Sequence, residues 1–300
     1  MKVFDFRIPT AAALGSPQAR FRLLHRPFRI LHWFVFPPQC LACDRFFHIP
    51  HHETAAGAEN VGSETGPVPV SWQGHLDKLL AACLCPACIR GLVAVESPIC
   101  DCCGLPFSGR SGADHRCGDC IVEPKNFRIA RAPLIYEPIL TRVIHRFKYK
   151  GKVQLADPLA ELLRRAFRSL WEKDSIDMIL PVPLHIKRFR KRGFNQSYLL
   201  VRNWNMLAGQ HLRGPAKLAI ERNLLLRTVA TAPQIALGRA KRAVNIKNAF
   251  DLRERDKVKD KRILLIDDVY TTGATVNECA RVLMASGARH VDVLTLARAI

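Results

Sequence analysis

Two adjacent carboxylates, Asp267 and Asp268, separate an apolar run of four residues from a short turn rich in hydroxyl groups. Carboxylates do not bind phosphate, but they accept hydrogen bonds from sugar hydroxyls or coordinate a hydrated magnesium ion. The turn offers hydroxyl donors and a backbone that can approach an anion closely. Its residues are Thr271, Thr272, Gly273, Ala274 and Thr275. The segment therefore predicts a site for a ligand that carries both a phosphate and a sugar.

The elements that position this turn are predicted to belong to an α/β domain with a mostly parallel sheet and helices on both faces. Predicted strands cover 127–136, 176–182, 262–266 and 290–296, and predicted helices cover 138–148, 155–167, 194–207 and 276–286. The first N–H groups of the helix after the turn lack partners and attract anions. Parallel sheets bind ligands beyond the carboxyl ends of their strands, where the aspartates fall.

Two basic segments are predicted to face the same edge of the sheet. Segment 181–196 is predicted to be a basic loop that suits pyrophosphate, because arginine can bind it bidentately. Its candidate ligands are Lys187, Arg188, Arg190 and Arg192. Segment 231–250 is long and polar, which favours a lid. Its candidate ligands are Gln234, Arg239 and Arg242. The alternatives are a solvated turn or nucleic-acid patch for the first segment and a surface connector for the second.

Ten of the eleven cysteines lie between Cys40 and Cys120, and eight of them form C-x-x-C pairs. The pairs are Cys40 and Cys43, Cys85 and Cys88, Cys100 and Cys103, and Cys117 and Cys120. Two such turns complete a tetrahedral zinc site, so consecutive pairing predicts two closed, structural zinc sites. A disulfide framework is the alternative, and it requires an oxidising compartment. Cys83 and Cys102 stand next to this pattern and could replace a ligand.

Composition and charge limit the class of protein. The 300 residues suffice for one large or two modest domains, and 48% of them are hydrophobic. A formal net charge of +20 favours anionic partners such as nucleic acid or phosphates. No apolar stretch is long enough to span a bilayer, and the first residues do not resemble a signal peptide. A cytoplasmic protein without stable membrane insertion is predicted.

Three regions are predicted along the chain. Residues 1–36 form an N-terminal extension whose apolar and basic residues suit an amphipathic helix, with membrane-surface binding as the alternative. Residues 37–124 form a double zinc ribbon, and its insert at 51–71 has the composition of a disordered loop. Residues 125–300 form the α/β domain.

The run Ile263 to Thr275 resembles the PRPP (phosphoribosyl pyrophosphate) motif of type I phosphoribosyltransferases, with Tyr270 where an aliphatic residue is more usual. Together with the cysteine pairs, the segment 147–151 and both basic segments, it resembles the ComF family, which includes the GntX-type proteins. The resemblance covers about residues 37–300. It implies a double zinc ribbon in front of a phosphoribosyltransferase-like domain. It also implies a role in natural competence, where members are associated with handling imported single-stranded DNA in the cytoplasm.

The same resemblance implies roles for the candidate residues. Asp267 and Asp268 would be catalytic and hold the ribose of PRPP with magnesium, while Thr271 to Thr275 would bind its 5′-phosphate. The basic segments would stabilise the departing pyrophosphate. No residue identifies the acceptor of the sugar, so turnover as a glycosyltransferase stays open.

The alternative is a non-catalytic adaptor that contacts single-stranded DNA or proteins of the competence machinery. The ribbons and the basic surface would make those contacts, and the PRPP site would sense a nucleotide or be vestigial. Single-strand binding combines basic grooves with stacking aromatics. Phe46, Phe47 and Phe107 on the ribbons could stack on bases or could form the small core of the ribbons.

Overall fold

The computed structural model describes residues 37–48, 72–109, 111–172, 175–205, 218–230 and 246–300. The predictions for 1–36 and 51–71 lie outside these residues. So do Gln234, Arg239 and Arg242 of the second basic segment. Within the described residues, no helix has the length and apolar character needed to cross a membrane.

The helices and strands are given in chain order. The part before the sheet contains α1 (Trp72–Leu80), α2 (Pro86–Arg90) and α3 (Gly118–Val122). There follow β1 (Ala130–Arg131), β2 (Leu134–Ile135), α4 (Pro138–Tyr149), α5 (Ala156–Leu170), β3 (Met178–Pro181), α6 (Ile186–Arg192) and α7 (Gln196–Leu199). The remaining elements are β4 (Ala219–Ile220), β5 (Leu225–Arg227), β6 (Phe250–Leu252), β7 (Arg262–Tyr270), α8 (Ala274–Ala285) and β8 (His290–Arg298).

A parallel sheet with strand order β1-β8-β7-β3-β4 forms the centre of the molecule, and β2 also pairs with β8. β5 and β6 form a separate antiparallel pair. The predicted α/β fold with a mostly parallel sheet is therefore confirmed. The predicted strand over 127–136 contains two short strands instead of one. Pro133 lies between them, and proline has no N–H group to donate to a neighbouring strand.

Side chains of the central strands alternate between two apolar layers. Leu264 and Leu294 belong to one layer, with α4, α5 and the first ribbon, which is the region around Cys40, Cys43, Cys85 and Cys88. Leu265 and Val293 belong to the other layer, with α8, β5, β6 and the second ribbon, which is the region around Cys100, Cys103, Cys117 and Cys120. The two ribbons thus pack on opposite faces of the sheet. The predicted domain boundary after residue 124 stays a prediction.

The second ribbon is fixed to the edge of the sheet through its first C-x-x-C turn. The Ala130 N–H of β1 donates to the Cys102 carbonyl over 2.7 Å. Gly104, which closes the turn, has a φ of 65°, and a Cβ there would lie 2.6 Å from the Ala130 carbonyl oxygen. Only glycine combines this backbone conformation with so close an approach.

Candidate functional site

The two aspartates lie within β7, which was predicted to end before them. β3 pairs with β7 only as far as Ile266, whereas β8 continues to pair with β7 through Asp267 and on to Tyr270. The backbone of β7 is therefore supported on one side and open on the other from Asp267 onward. This open edge places the carboxylates beside the carboxyl end of β3, where a ligand of a parallel sheet is expected.

The predicted anion turn joins β7 to α8. Gly273 has a φ of 76° and directly precedes α8, whose first turn carries no acidic residue. A Cβ at Gly273 would lie 2.2 Å from the Tyr270 hydroxyl oxygen, so the turn requires glycine. The N-terminus of this helix offers backbone N–H groups and positive partial charge to an anion. Thr271 to Thr275 thus lie next to the aspartates, between the end of β7 and the first turn of α8.

Ser197 and Lys148, which sequence reasoning did not assign to the site, are the partners of the carboxylates. Ser197 donates to Asp267 Oδ1 over 3.1 Å, and the Asp268 N–H donates to the same oxygen over 2.9 Å. Ser197 is placed by the side chain of Asn195, which caps α7. Lys148 Nζ lies 2.7 Å from Asp268 Oδ1, in an ion pair that is mostly buried. The carboxylates are therefore held in place before any ligand arrives.

Burial and the charge of Asp268 raise the pKa of Asp267 to about 7. Burial by itself would lower the pKa of Lys148. The charge and hydrogen bond of Asp268 have a larger opposite effect, so the Lys148 pKa is raised. Two adjacent carboxylates thus share one lysine, and a proton on Asp267 offsets the remaining repulsion near neutral pH.

The first basic segment forms a helix, α6, where a loop was predicted. The His185 side chain accepts from the Lys187 N–H at its start, and Gly193 ends it in the left-handed conformation. Its cations divide between two faces, as the helical repeat requires. Arg188 and Arg192 are partly buried, and three cations are exposed: Lys187, Arg190 and Lys191. Arg192 lies 4.6 Å from the ring centroid of Tyr149 and donates to its hydroxyl over 2.8 Å.

Arg227 on β5 is a further cation near the site that sequence reasoning missed. Burial first, and then the charge of Arg188, lower the Arg227 pKa to about 10, while Asp267 acts in the opposite direction. Its guanidinium lies 5.4 Å from the ring centroid of Phe250 on the paired strand. Arg227 therefore interacts with both Arg188 of α6 and Asp267, which brings positive charge to the open edge of the sheet. The only available signal was the position of Arg227 just before the predicted lid.

The eight cysteines of the C-x-x-C pairs form two groups of four, joined as consecutive pairs as the spacing predicted. Within each group the sulfurs lie within 4.8 Å of one another, and each group could hold a metal ion. Backbone N–H groups donate to the sulfurs of Cys40 and Cys100 and lower their pKa to about 7 against the opposing effect of burial. Cys83 and Cys102 lie outside both groups. Four cysteine sulfurs this close together, one of them in each group with a lowered pKa, suit a closed tetrahedral site.

We expect the stability of the ligand-free protein to fall as the pH rises from about 5 to 7, because folded Asp267 keeps a proton that the unfolded chain releases. Because the pKa of Asp267 is 3.8 in its ordinary state and about 7 in the folded protein, Asp267 takes up a proton when the chain folds between these pH values. Asp267→Asn cannot ionise, so its stability relative to wild type should rise by up to about 1.4 kcal/mol per pH unit in this range. Urea unfolding with excess zinc measures the difference. Asp260→Asn, at an exposed turn, is the control, and a pH-independent difference would contradict the expectation.

Comparison with known proteins identifies relatives of this chain. It is 32% identical over 223 residues to DNA utilization protein YhgH of Escherichia coli K12, which covers 72% of this chain and 91% of that protein. It is 30% identical over 230 residues to Competence protein F of Haemophilus influenzae, covering 72% and 96%. Competence protein ComFC of Bacillus subtilis is 27% identical over 228 residues, covering 72% and 84%. No model of a known protein family matches the chain. With these relatives, the chain belongs to the ComF family.

Proposed function

We propose that the open edge of β7 binds PRPP together with magnesium. The observation that carries this proposal is the order of the polar groups from Asp267 to Thr275. Two carboxylates on a supported strand are followed at once by a hydroxyl-bearing turn at the N-terminus of α8. Carboxylates accept from ribose hydroxyls, and the helix N-terminus suits the 5′-phosphate.

The carboxylate oxygens of Asp267 and Asp268 are of the kind that magnesium prefers, and they would hold the ion with the ribose hydroxyls. Magnesium would neutralise charge on the pyrophosphate when it is bound. Lys148 already occupies one oxygen of Asp268, so the sugar would share or replace that partner.

Arginines would receive the pyrophosphate end of the ligand. Arg227 of β5 brings positive charge beside Asp267, and Arg188, which neighbours Arg192 on the partly buried face of α6, lies near Arg227. Transfer of the sugar would break the bond between its C1 atom and the pyrophosphate oxygen, which leaves with the electron pair, and would form a bond from C1 to an acceptor. Donors that stabilise the leaving charge would lower the barrier. Each cysteine group is proposed to hold a structural zinc ion.

A role in DNA utilization or competence is proposed from the names of the relatives, and the cytoplasm is the proposed location. The surface that supports it is the exposed face of α6, with Lys187, Arg190 and Lys191. Tyr149 and Phe189 beside it are 47% and 43% exposed. Cations that alternate with exposed rings suit a single strand.

The second candidate function is the non-catalytic adaptor, and the ribbon aromatics support it only in part. Phe46 is 67% exposed and could stack on a base. Phe47 is buried, and Phe107 stacks on His115 with ring centroids 4.0 Å apart. Of the three ribbon rings, Phe46 is therefore the one best able to contact a base.

Isothermal titration of the zinc-loaded protein with PRPP and magnesium tests the first proposal. We expect saturable binding, and we expect Asp267→Asn with Asp268→Asn to weaken it by about 100-fold. Each aspartate would lose charged hydrogen bonds worth about 1.5 kcal/mol or more, and 1.4 kcal/mol is tenfold in affinity.

The control is Asp260→Asn, which removes an exposed carboxylate from the turn before β7 and should leave the affinity unchanged. Absence of heat with wild type would exclude the PRPP assignment. If a labelled single strand then binds with a steep dependence on salt, the adaptor is the better description.

A further inference from the structure

Arg298, the last residue of β8, touches both the second cysteine group and the anion turn. The residue is only 7% exposed. Its Nε donates to the Cys103 carbonyl over 3.1 Å, and its Nη1 donates to the Thr271 carbonyl over 3.1 Å. Its Nη2 lies 3.7 Å from Cys103 Sγ. One side chain therefore connects a cysteine of the second group with the first residue of the turn.

A buried ring holds the guanidinium in this position. Arg298 lies 4.4 Å from the ring centroid of Tyr270, which is 3% exposed. The Tyr270 hydroxyl in turn lies against Gly273, where a Cβ would come within 2.2 Å. Arg298, Tyr270 and Gly273 thus form a continuous stack from the cysteine group to the N-terminus of α8. A shift of the guanidinium would move the ring and the turn together, because buried groups are closely packed.

The charge of Arg298 makes this stack sensitive to metal. A zinc ion with four thiolates carries a net charge of about −2, and arginine stays protonated at all relevant pH values. With metal bound, the guanidinium would neutralise part of this buried charge and would donate to the sulfur of Cys103. Without metal, no ion would fix the Cys103 sulfur, and the contact that holds Nη2 would lose its anchor. Outer contacts of this kind orient metal ligands and are in turn oriented by them.

The first cysteine group has no comparable link among the described contacts. It packs in the opposite apolar layer. The ion pair of Asp44 with Arg146 links its first C-x-x-C turn to α4 and involves no residue of the Thr271–Thr275 turn.

We propose that Arg298 is a positioning residue that makes the shape of the Thr271–Thr275 turn, and hence its affinity for a phosphate, depend on metal in the second cysteine group but not in the first. The affinity part rests on the proposed function. The shape part does not, because it concerns the ligand-free protein.

Hydrogen exchange measured by mass spectrometry on the full-length, zinc-loaded protein tests the shape part. In Arg298→Met, we expect amide exchange in peptides that cover 271–277 to rise about tenfold or more while β3 and residues 262–268 of β7 stay protected. Arg298→Lys keeps the charge but not the planar fork, so it should show an intermediate rise. Arg289→Met, at an exposed arginine near the start of β8, is the matched control. Unchanged exchange in both Arg298 variants would overturn the proposal.

The metal part is tested with one variant in each cysteine group. Cys120→Ser should lower the zinc content by one ion and loosen the turn as Arg298→Met does. Combining the two substitutions should add little. Cys43→Ser should lower the zinc content equally and leave the turn protected. If Cys43→Ser loosens the turn as much as Cys120→Ser does, the selective link does not exist. If a cysteine variant does not fold, Arg298→Lys, which is the mildest of the substitutions, still tests the link between Arg298 and the turn by hydrogen exchange.

Titration with PRPP then separates the two proposals. We expect Arg298→Met to weaken binding about tenfold. If the wild-type protein does not bind PRPP, only the proposed function is contradicted, because hydrogen exchange is measured on the ligand-free protein. Normal binding by Arg298→Met, with a loosened turn, would remove the affinity part of the inference.

Discussion

Removing zinc from both cysteine groups will lower the midpoint of thermal unfolding by at least roughly 15 °C. Structural zinc sites contribute apparent free energies of about 10 kcal/mol or more, and 1 kcal/mol shifts the midpoint of a chain of this size by about 2–4 °C. The sulfurs are crowded, with Cys43 and Cys85 3.8 Å apart and Cys103 and Cys117 3.7 Å apart. Without a metal ion, the four cysteines of each group have no common ligand to hold them together. The ribbons then no longer pack against the apolar layers on the two faces of the sheet.

Calorimetry on protein with and without a chelator measures this effect, with zinc content determined for each sample. Cys279→Ala is the control, because Cys279 is buried on α8 outside both groups and should change the midpoint by only a few degrees. A chelated sample that contains no zinc and unfolds at the same temperature would show that the groups are not structural metal sites.

Lys148→Met will destabilise the protein by about 3 kcal/mol at neutral pH. Lys148 and Asp268 are 20% and 11% exposed, and their pair lies next to Asp267. Removal of the lysine leaves two neighbouring carboxylates without their cation, and breaking a buried pair from one side costs about 3–5 kcal/mol. The substitution should also raise the pKa of Asp267 further, because Lys148 acts to lower it.

Urea unfolding of a double-mutant cycle identifies the cause. Lys148→Met combined with Asp268→Asn should recover most of the lost stability, because no unpaired charge remains. Lys150→Met is the matched control, since Lys150 is exposed at the end of α4 and its loss should cost less than about 0.5 kcal/mol. If Lys148→Met is as stable as wild type, the ion pair contributes nothing to the folded state.

Local patterns predicted the parts of the site that are continuous in sequence. The apolar run before Asp267 and the glycine of the turn predicted β7, the anion turn and α8. The C-x-x-C spacing predicted the two cysteine groups. The apolar periodicity of α4 and α5 likewise gave helices close to the observed ones. In each case the residues that form the element lie within one short stretch, so their spacing carries the information.

The partners of the site could not be predicted, because they come from distant parts of the chain. Lys148 is 120 residues from Asp268, Ser197 is 70 from Asp267, and Arg298 is 195 from Cys103. Nothing in the local sequence of these residues marks the contact. α6 was missed for another reason: its cations hide the helical repeat, and its ends depend on His185 and Gly193.

The position of β8 has a consequence for how the molecule assembles. β8 lies between β1 and β7 in the sheet, although it follows both along the chain. It also contributes to the apolar layers on which both ribbons pack. Contacts between residues so far apart form late, because closing a long loop costs entropy before the contact stabilises anything. During synthesis the ribbons therefore exist for some time without their partner layers. Early metal binding would shield their thiolates from oxidation in that interval.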